Sequence, residues 1–275
     1  MTKKDISIII PVGNDILIEK CLDSVSESNH GDNLEVIVIR DHCDKDISKL
    51  IEFYKSKLPL IIFDANSDKI GALRNIGIMA AKSDILYFID SDCILYNEAV
   101  KQALKSGSNN PVTRGFIKFT GGASRISKLD AVLRQQRYDL NPNIAYCPNL
   151  VVRREVFDRV GLFNEEYDYG SDGEFAKRLT ENKIPCSYNQ DMKVIHQEPI
   201  DGLKIIKTWV KYGEGRGRRF RESSIKEKIQ GLFTPNLFDY KKGISYNSIV
   251  FACLACRWLG WSKVYLKSKL EKFNK

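Results

Sequence analysis

No stretch of the sequence supplies the roughly 18 consecutive apolar residues that a bilayer span requires, so a membrane-spanning protein is not expected. A disulfide framework is missing too. The seven cysteines, Cys21, Cys43, Cys93, Cys147, Cys186, Cys253 and Cys256, are odd in number, scattered and mostly set in apolar segments, which fits a reducing compartment. Cys253 and Cys256 form the sole C-x-x-C, with no second Cys or His pair to complete a zinc site, so core packing is the better reading. There is no internal repeat and no low-complexity tract. The N-terminus, Met1 to Asp5, runs straight into an apolar strand and leaves no room for a signal peptide. Acids are scarce in one place only. Residues 1–200 carry 26 Lys/Arg against 29 Asp/Glu, whereas residues 201–275 carry 17 against 6. The basic excess belongs to the last quarter, and it points to a partner of negative charge.

What is present is an alternation of short apolar runs with helical periods. Ile6–Val12, Leu34–Ile39, Leu60–Phe63 and Ile85–Ile89 read as strands, Ile6–Val12 and Ile85–Ile89 as buried ones lacking the polar alternation of a half-exposed sheet. Between them, helices are expected from Asn14 or Asp15 to Ser28, over Asp46–Lys57, and over Gly71–Ala81 with Arg74 and Asn75 on its polar face. Strand–helix alternation at this spacing means a mostly parallel, doubly wound sheet. Later segments predict helices over 97–106, 126–138, 154–160 and 171–182, and strands over 116–119, 150–153 and 194–196. Residues 161–170 form an acidic, aromatic loop. From Asp201 onward only helices are expected, broken at Gly213–Gly217 and again at Gly231–Gly243. Two domains follow, 1–200 and a basic helical extension at 201–275.

The strand Ile85–Ile89 ends in Asp90-Ser91-Asp92. In open α/β sheets, ligands bind beyond the carboxyl ends of the strands, and two hard oxygen donors one residue apart suit Mg²⁺ or Mn²⁺. A solvated strand-end turn explains the same residues, since Asp and Ser favour turns. Arg74 is equally open, as a phosphate partner or a surface helix charge.

These stretches together resemble family 2 glycosyltransferases of the GT-A fold. Ile8-Ile9-Ile10-Pro11-Val12-Gly13-Asn14 resembles the family's opening strand, Val36–Asp41 its second strand, Arg74-Asn75-x-Gly77 its R-N-x-G, and Asp90-Ser91-Asp92 its D-x-D. Asn149–Phe163 resembles the acceptor-side strand and helix, and Gly170–Leu179 the segment that supplies the base. The likeness covers about residues 6–200. It implies a nucleotide diphosphate sugar, UDP ahead of GDP or dTDP, held by Pro11, Val12, Asn14, Asp41, Arg74, Asn75, Asp90 and Ser91. It implies a divalent ion on Asp90, Asp92 and His196, and direct displacement with inversion. Asp172 is the first choice of general base and Glu174 the second, because a carboxylate must take the acceptor's proton. A helix start near residue 172 favours a negative charge there. Arg40, where the family has an acid, leaves Asp41 to meet the base of the nucleotide; Ser171 and Glu174 also depart from the family's pattern.

Lys204–Lys228 holds nine Lys/Arg against three Glu. Arg216 and Arg219 could clamp a diphosphate or acceptor. The apolar run Ile249–Cys256, followed by Arg257-Trp258-Leu259-Gly260-Trp261, fits either a helix packed on the catalytic domain or one lying on anionic lipid. A nucleic-acid-binding tail is the outsider, since few aromatics interleave with the charges; a non-catalytic sugar-nucleotide binder is the other alternative. The expectation is a cytoplasmic enzyme, peripheral on the inner membrane face or not, acting on a glycan or lipid-linked acceptor in cell-surface glycan assembly.

Overall fold

The computed structural model describes residues 4–28, 33–167, 169–197, 202–220 and 243–273. The expected break at Gly231–Gly243 lies largely outside them, as does Arg221 of the basic stretch. Two compact units are present. One comprises residues 1–118, 141–166 and 171–197, the other 119–140, 167–170 and 198–275.

The first unit is built on the sheet. Strands β1 (Ile6–Val12), β2 (Leu34–Asp41), β3 (Leu60–Ala65) and β4 (Ile85–Ile89) are separated by helices α1 (Ile18–Glu27), α2 (Lys45–Phe53) and α3 (Ile70–Ala80). Then come β5 (Cys93–Leu95), α4 (Ala99–Asn109), β6 (Val112–Thr120), β7 (Asn149–Arg153), α6 (Arg154–Val160), α7 (Ser171–Glu181) and β8 (Ser187–Gln197). The sheet order is β3-β2-β1-β4-β7-β6-β8-β5. Its first four strands are parallel, as their uniform apolarity predicts, and β1 to β3 are laid down in one direction before β4 joins the other flank of β1. That reversal is the switch point at which α/β sheets open a crevice. The remainder departs from the mostly parallel sheet expected. β7 runs antiparallel to β4 and β6, and β5 antiparallel to β8.

The core has a physical centre. Ile9, Ile37, Ile39, Leu73, Phe88 and Leu150 pack with an aromatic group from α6, the following loop and α7. Phe88 meets Phe157 and Phe163 edge-on at 6.0 and 5.5 Å between centroids, and Phe163 lies 4.8 Å from Phe175. Asn149, fully buried, ties the antiparallel half together. It accepts from the Tyr87 hydroxyl and donates to the carbonyls of Phe116 and Met192. A Cβ on Gly115 would strike this amide and the Met192 carbonyl, so only glycine fits there.

The second unit packs α5 (Arg125–Asp139) with α8 (Gly202–Phe220) and α9 (Gly243–Phe273). Leu133, Ile205, Trp209, Val250 and Cys253 form its core, and the Trp209 indole donates to Asp130 at 2.7 Å. α8 runs unbroken through the glycines at 213, 215 and 217, against the expected interruption. Their missing side chains let backbones touch. A Cβ on Gly213 would strike the Arg257 carbonyl, and one on Gly260 the Val210 carbonyl, so packing overrides their poor helix propensity.

Candidate active site

The D-x-D lies where β4 runs out beside the reversal. Its geometry is fixed by a turn, in which Cys93 donates its backbone N–H to the Asp90 carbonyl at 3.0 Å, and by β5. Because β5 pairs with β8, Cys93 stands opposite His196, and Gln197 donates to the Asp92 carbonyl. The imidazole Nε2 of buried His196 is thereby 3.4 Å from Asp92 Oδ1. Three residues of strand, too short to show a period, bring the histidine to the acid.

Asp90 takes a different partner. Arg74, 4% exposed on α3, donates through Nη2 to Asp90 Oδ1 at 2.9 Å and through Nη1 to Ser171 Oγ at 3.1 Å. Phe163 lies beneath the guanidinium, its ring centre 5.7 Å away. Burial works against the charge, but the carboxylates of Asp90 and Asp172, with the hydrogen bond to Asp90, favour it, and Arg74 is held above the ordinary guanidinium range. Ser171 opens α7, and Asp172 follows in its first turn, with Oδ1 accepting from the Gly173 N–H at 2.7 Å. Arg74 therefore joins the end of β4 to the start of α7, and Asp90 and Asp172 share its field.

Other expected residues have structural partners. Asn75 is buried with its amide fully engaged. Nδ2 donates to the Phe163 carbonyl and to Glu165 Oε1, both at 2.9 Å, while Oδ1 accepts from the Phe163 N–H at 3.0 Å. These bonds hold the loop after α6. Glu174 grips Arg178 with both oxygens, at 2.7 and 2.8 Å. Arg178 in turn donates to the carbonyls of Val160, Gly161 and Leu162, capping α6, so Glu174 is a poor second choice of base. Arg40 is turned toward Asp64 and Glu52, which explains how an arginine replaces an acid there. Asn14 caps no helix; its Oδ1 accepts from the Asp44 N–H at 3.2 Å. Sequence reasoning missed Ser171 as Arg74's partner and Arg178 as the cap. The first was legible only as a helix start.

Pro11 and Val12 end β1, in register with Ile39 and Arg40 of β2. Asp41 closes β2, its carboxylate accepting from the backbone N–H groups of Ser67 and Asp68 at 3.0 and 3.1 Å. Ser91 is half-buried in the turn. Arg216 lies on α8 of the second unit, and the Arg219 side chain is outside the description. A cavity of about 420 Å³ beside the C-terminal half of α7, lined by Asn143, Ala145, Ala176, Thr180, Ile184 and Cys186 among others, touches none of these residues.

All seven cysteines are unpaired as disulfides. Burial raises the Cys93 and Cys147 thiols far above their usual range, with Asp92 and Asp90 adding to the shift at Cys93. Sγ of Cys93 lies close to Asp92 and His196, yet as a neutral thiol it is no ligand for a hard ion. Asp92 and His196 supply an oxygen and a nitrogen on one side of the turn, and Asp90 keeps one oxygen outside its bond with Arg74. That donor set fits Mn²⁺ or Mg²⁺.

A sheet of this order, with acids at the switch point, has the GT-A fold of glycosyltransferases. Solved structures share it. A mannosyltransferase of Pyrobaculum calidifontis in complex with GDP-Man and Mn²⁺ superposes with a TM-score of 0.61 at 15% identity, covering 93% of this chain and 74% of that one. Residues 1–349 of TarS from Staphylococcus aureus, in complex with UDP-GlcNAc, superpose with a TM-score of 0.59 at 16% identity over 97% and 92%. The family model for glycosyl transferase family 2 matches residues 7–161, more than half the chain. The chain belongs to that family, and it is a glycosyltransferase. Among curated relatives, glycosyltransferase AglE of Haloferax volcanii is 27% identical over 222 residues, covering 77% of this chain and 72% of that protein. The poly(ribitol-phosphate) beta-glucosyltransferase of Bacillus spizizenii is 32% identical over 124 residues, 42% of this chain but only 20% of its own length.

Proposed function

We propose that this enzyme moves a sugar from a nucleoside diphosphate sugar to an acceptor hydroxyl in a single displacement with inversion, Asp172 serving as general base. The observation that carries the reading is Arg74, which joins Asp90 to Ser171 and so holds the D-x-D and the base-bearing turn together. The Asp172 carboxylate takes the proton of the acceptor O–H as its oxygen attacks the anomeric carbon, and the bond from that carbon to the donor's diphosphate breaks. Arg74 has both Nη atoms engaged, so it acts as a brace whose charge lies near the reaction instead of a mobile hand on the phosphates. Asp92 and His196, with the second oxygen of Asp90, would hold the divalent ion. When bound, such an ion neutralises charge on the leaving diphosphate. Asp41, organising the β3–α3 loop, and the backbone at Pro11 and Val12 would border the nucleoside, with Ser91 at the turn.

The complexes of structural neighbours with UDP-GlcNAc and with GDP-Man and Mn²⁺ support a nucleotide-sugar donor and a metal. Relatives named for poly(ribitol-phosphate) support a hydroxyl-rich acceptor, which in this proposal is a cell-surface glycan or a lipid-linked one. The test is a thermal-shift screen of UDP-, GDP- and dTDP-sugars with and without Mn²⁺. A shift that needs Mn²⁺ and disappears in Asp92→Ala supports the reading. A shift of equal size without metal, or one kept by Asp92→Ala, removes the metal from it.

A further inference from the structure

Helix α9 carries a feature that glycosyl transfer leaves unused. At 100° per residue, Phe251, Ala255, Trp258, Leu259, Ser262 and Leu266 fall on one face, and the large ones are open to solvent: Phe251 68%, Trp258 53%, Leu259 64% and Leu266 60% exposed. Tyr265 borders this face at 47%, stacked on Trp261 with ring centres 5.4 Å apart. Leaving such a stripe in water is costly, since each large side chain forfeits about 1.5–3 kcal/mol of burial. Lys263, which pairs with Glu214 on α8, and Lys267 border one side of it, both exposed. The segment from residue 201 onward carries 17 basic against 6 acidic residues.

We propose that α9 lies in the plane of an anionic bilayer surface, its Phe251–Leu266 face sunk to the acyl boundary and its lysines among the headgroups. Apolar bulk, interfacial Trp and Tyr, and flanking Lys on a single helix are the attributes of this mode. The positive excess selects anionic lipid over a neutral surface or a second copy of this equally basic segment. Crossing the bilayer is the rival use of the same residues, because Asn247–Lys267 is long and apolar enough by length and composition, against the expectation from apolar runs alone. The packing favours lying flat. The opposite face is occupied, with Val250 and Cys253 in the core beside Leu133, Ile205 and Trp209. Gly260 is pressed to the Val210 carbonyl of α8. A spanning α9 would also carry Arg257 and Lys263 into hydrocarbon.

The experiment uses the full chain in flotation with phosphatidylcholine vesicles and with vesicles containing about 30 mol% phosphatidylglycerol at near-physiological salt. The wild type is expected to float with the anionic vesicles at least about tenfold better than with the neutral ones, with a blue shift of tryptophan emission. Trp258→Ser with Leu259→Ser should lower that partition by about tenfold, equivalent to about 1.4 kcal/mol. Lys267→Glu, a surface exchange that spares the fold, should cost about fivefold, on anionic vesicles only. Unchanged flotation of both variants, or no flotation of the wild type, overturns the proposal. Retention after alkaline carbonate extraction overturns it in favour of a span. Vesicle-independent self-association lost in the double variant, or salt-sensitive capture of an oligonucleotide without vesicle binding, overturns it in favour of a second copy or of nucleic acid.

Discussion

Replacing Asn75 by alanine tests whether the R-N-x-G asparagine holds the protein together or holds the donor. Its amide makes three hydrogen bonds at 2.9 to 3.0 Å, two of them with the backbone of buried Phe163. Alanine leaves the Phe163 N–H and C=O without partners in a site that is 5% exposed at position 75. Each stranded buried group costs about 1–3 kcal/mol, and solvent reaching the Glu165 side lowers the sum. A loss of about 2–4 kcal/mol follows, or about 6–12 °C in melting temperature at about 3 kcal/mol for a protein of this size. Urea unfolding followed by far-UV circular dichroism measures it, with the denaturant slope unchanged. Donor KM should stay within about twofold below the new transition, as expected where no binding interaction with the substrate is removed. Stability within about 0.5 kcal/mol of wild type, a surface-like effect, together with a sharply raised donor KM, would refute the argument and return Asn75 to the donor pocket.

Three further outcomes are expected. Glu174→Gln should keep transfer within a few-fold, whereas loss of a true general base costs about 10²–10⁴-fold; single-turnover rates distinguish the two. Arg178→Met, stripping the cap from the carbonyls of Val160, Gly161 and Leu162, should lower stability by about 1–3 kcal/mol in the same urea assay. In the folded enzyme at pH 8, Cys93 and Cys147 should resist a thiol reagent, because burial keeps them protonated. Cys186, pushed up to about 11 by burial, should react only slowly. Rapid labelling of Cys93 or Cys147 before unfolding would contradict the packing described.

The parallel half of the sheet was legible because β1, β2 and β4 are buried on both faces and read as unbroken apolar runs, Ile6–Val12 being the plainest, while the half-exposed edge strand β3 still keeps an apolar run over Leu60–Phe63. The switch-point acids were legible for the same reason, since Asp90 ends such a run abruptly. The antiparallel half was not. β5 has three residues, and β8 alternates polar and apolar over a length only partly apparent as Val194–His196. Nothing local in either reveals its pairing. The partners of Asn75 and Glu174 were not legible because motif position gives no direction to a side chain; the loop backbone and Arg178 that bond them are distant in sequence or a full helical turn away. The glycines of α8 misled for a related reason. They mark a close helix crossing, which becomes apparent only once Arg257 and Gly260 are beside them.

The proposed reaction hinges on Asp172, and Asp172→Asn probes it most directly. Calorimetry of the donor nucleotide sugar with Mn²⁺, paired with single-turnover transfer on the same preparation, separates binding from chemistry. Donor affinity within about threefold of wild type, with transfer slowed by about 10²–10⁴-fold, is the predicted result. Transfer that persists at near wild-type rate, or donor affinity that collapses with it, would contradict a base at this position.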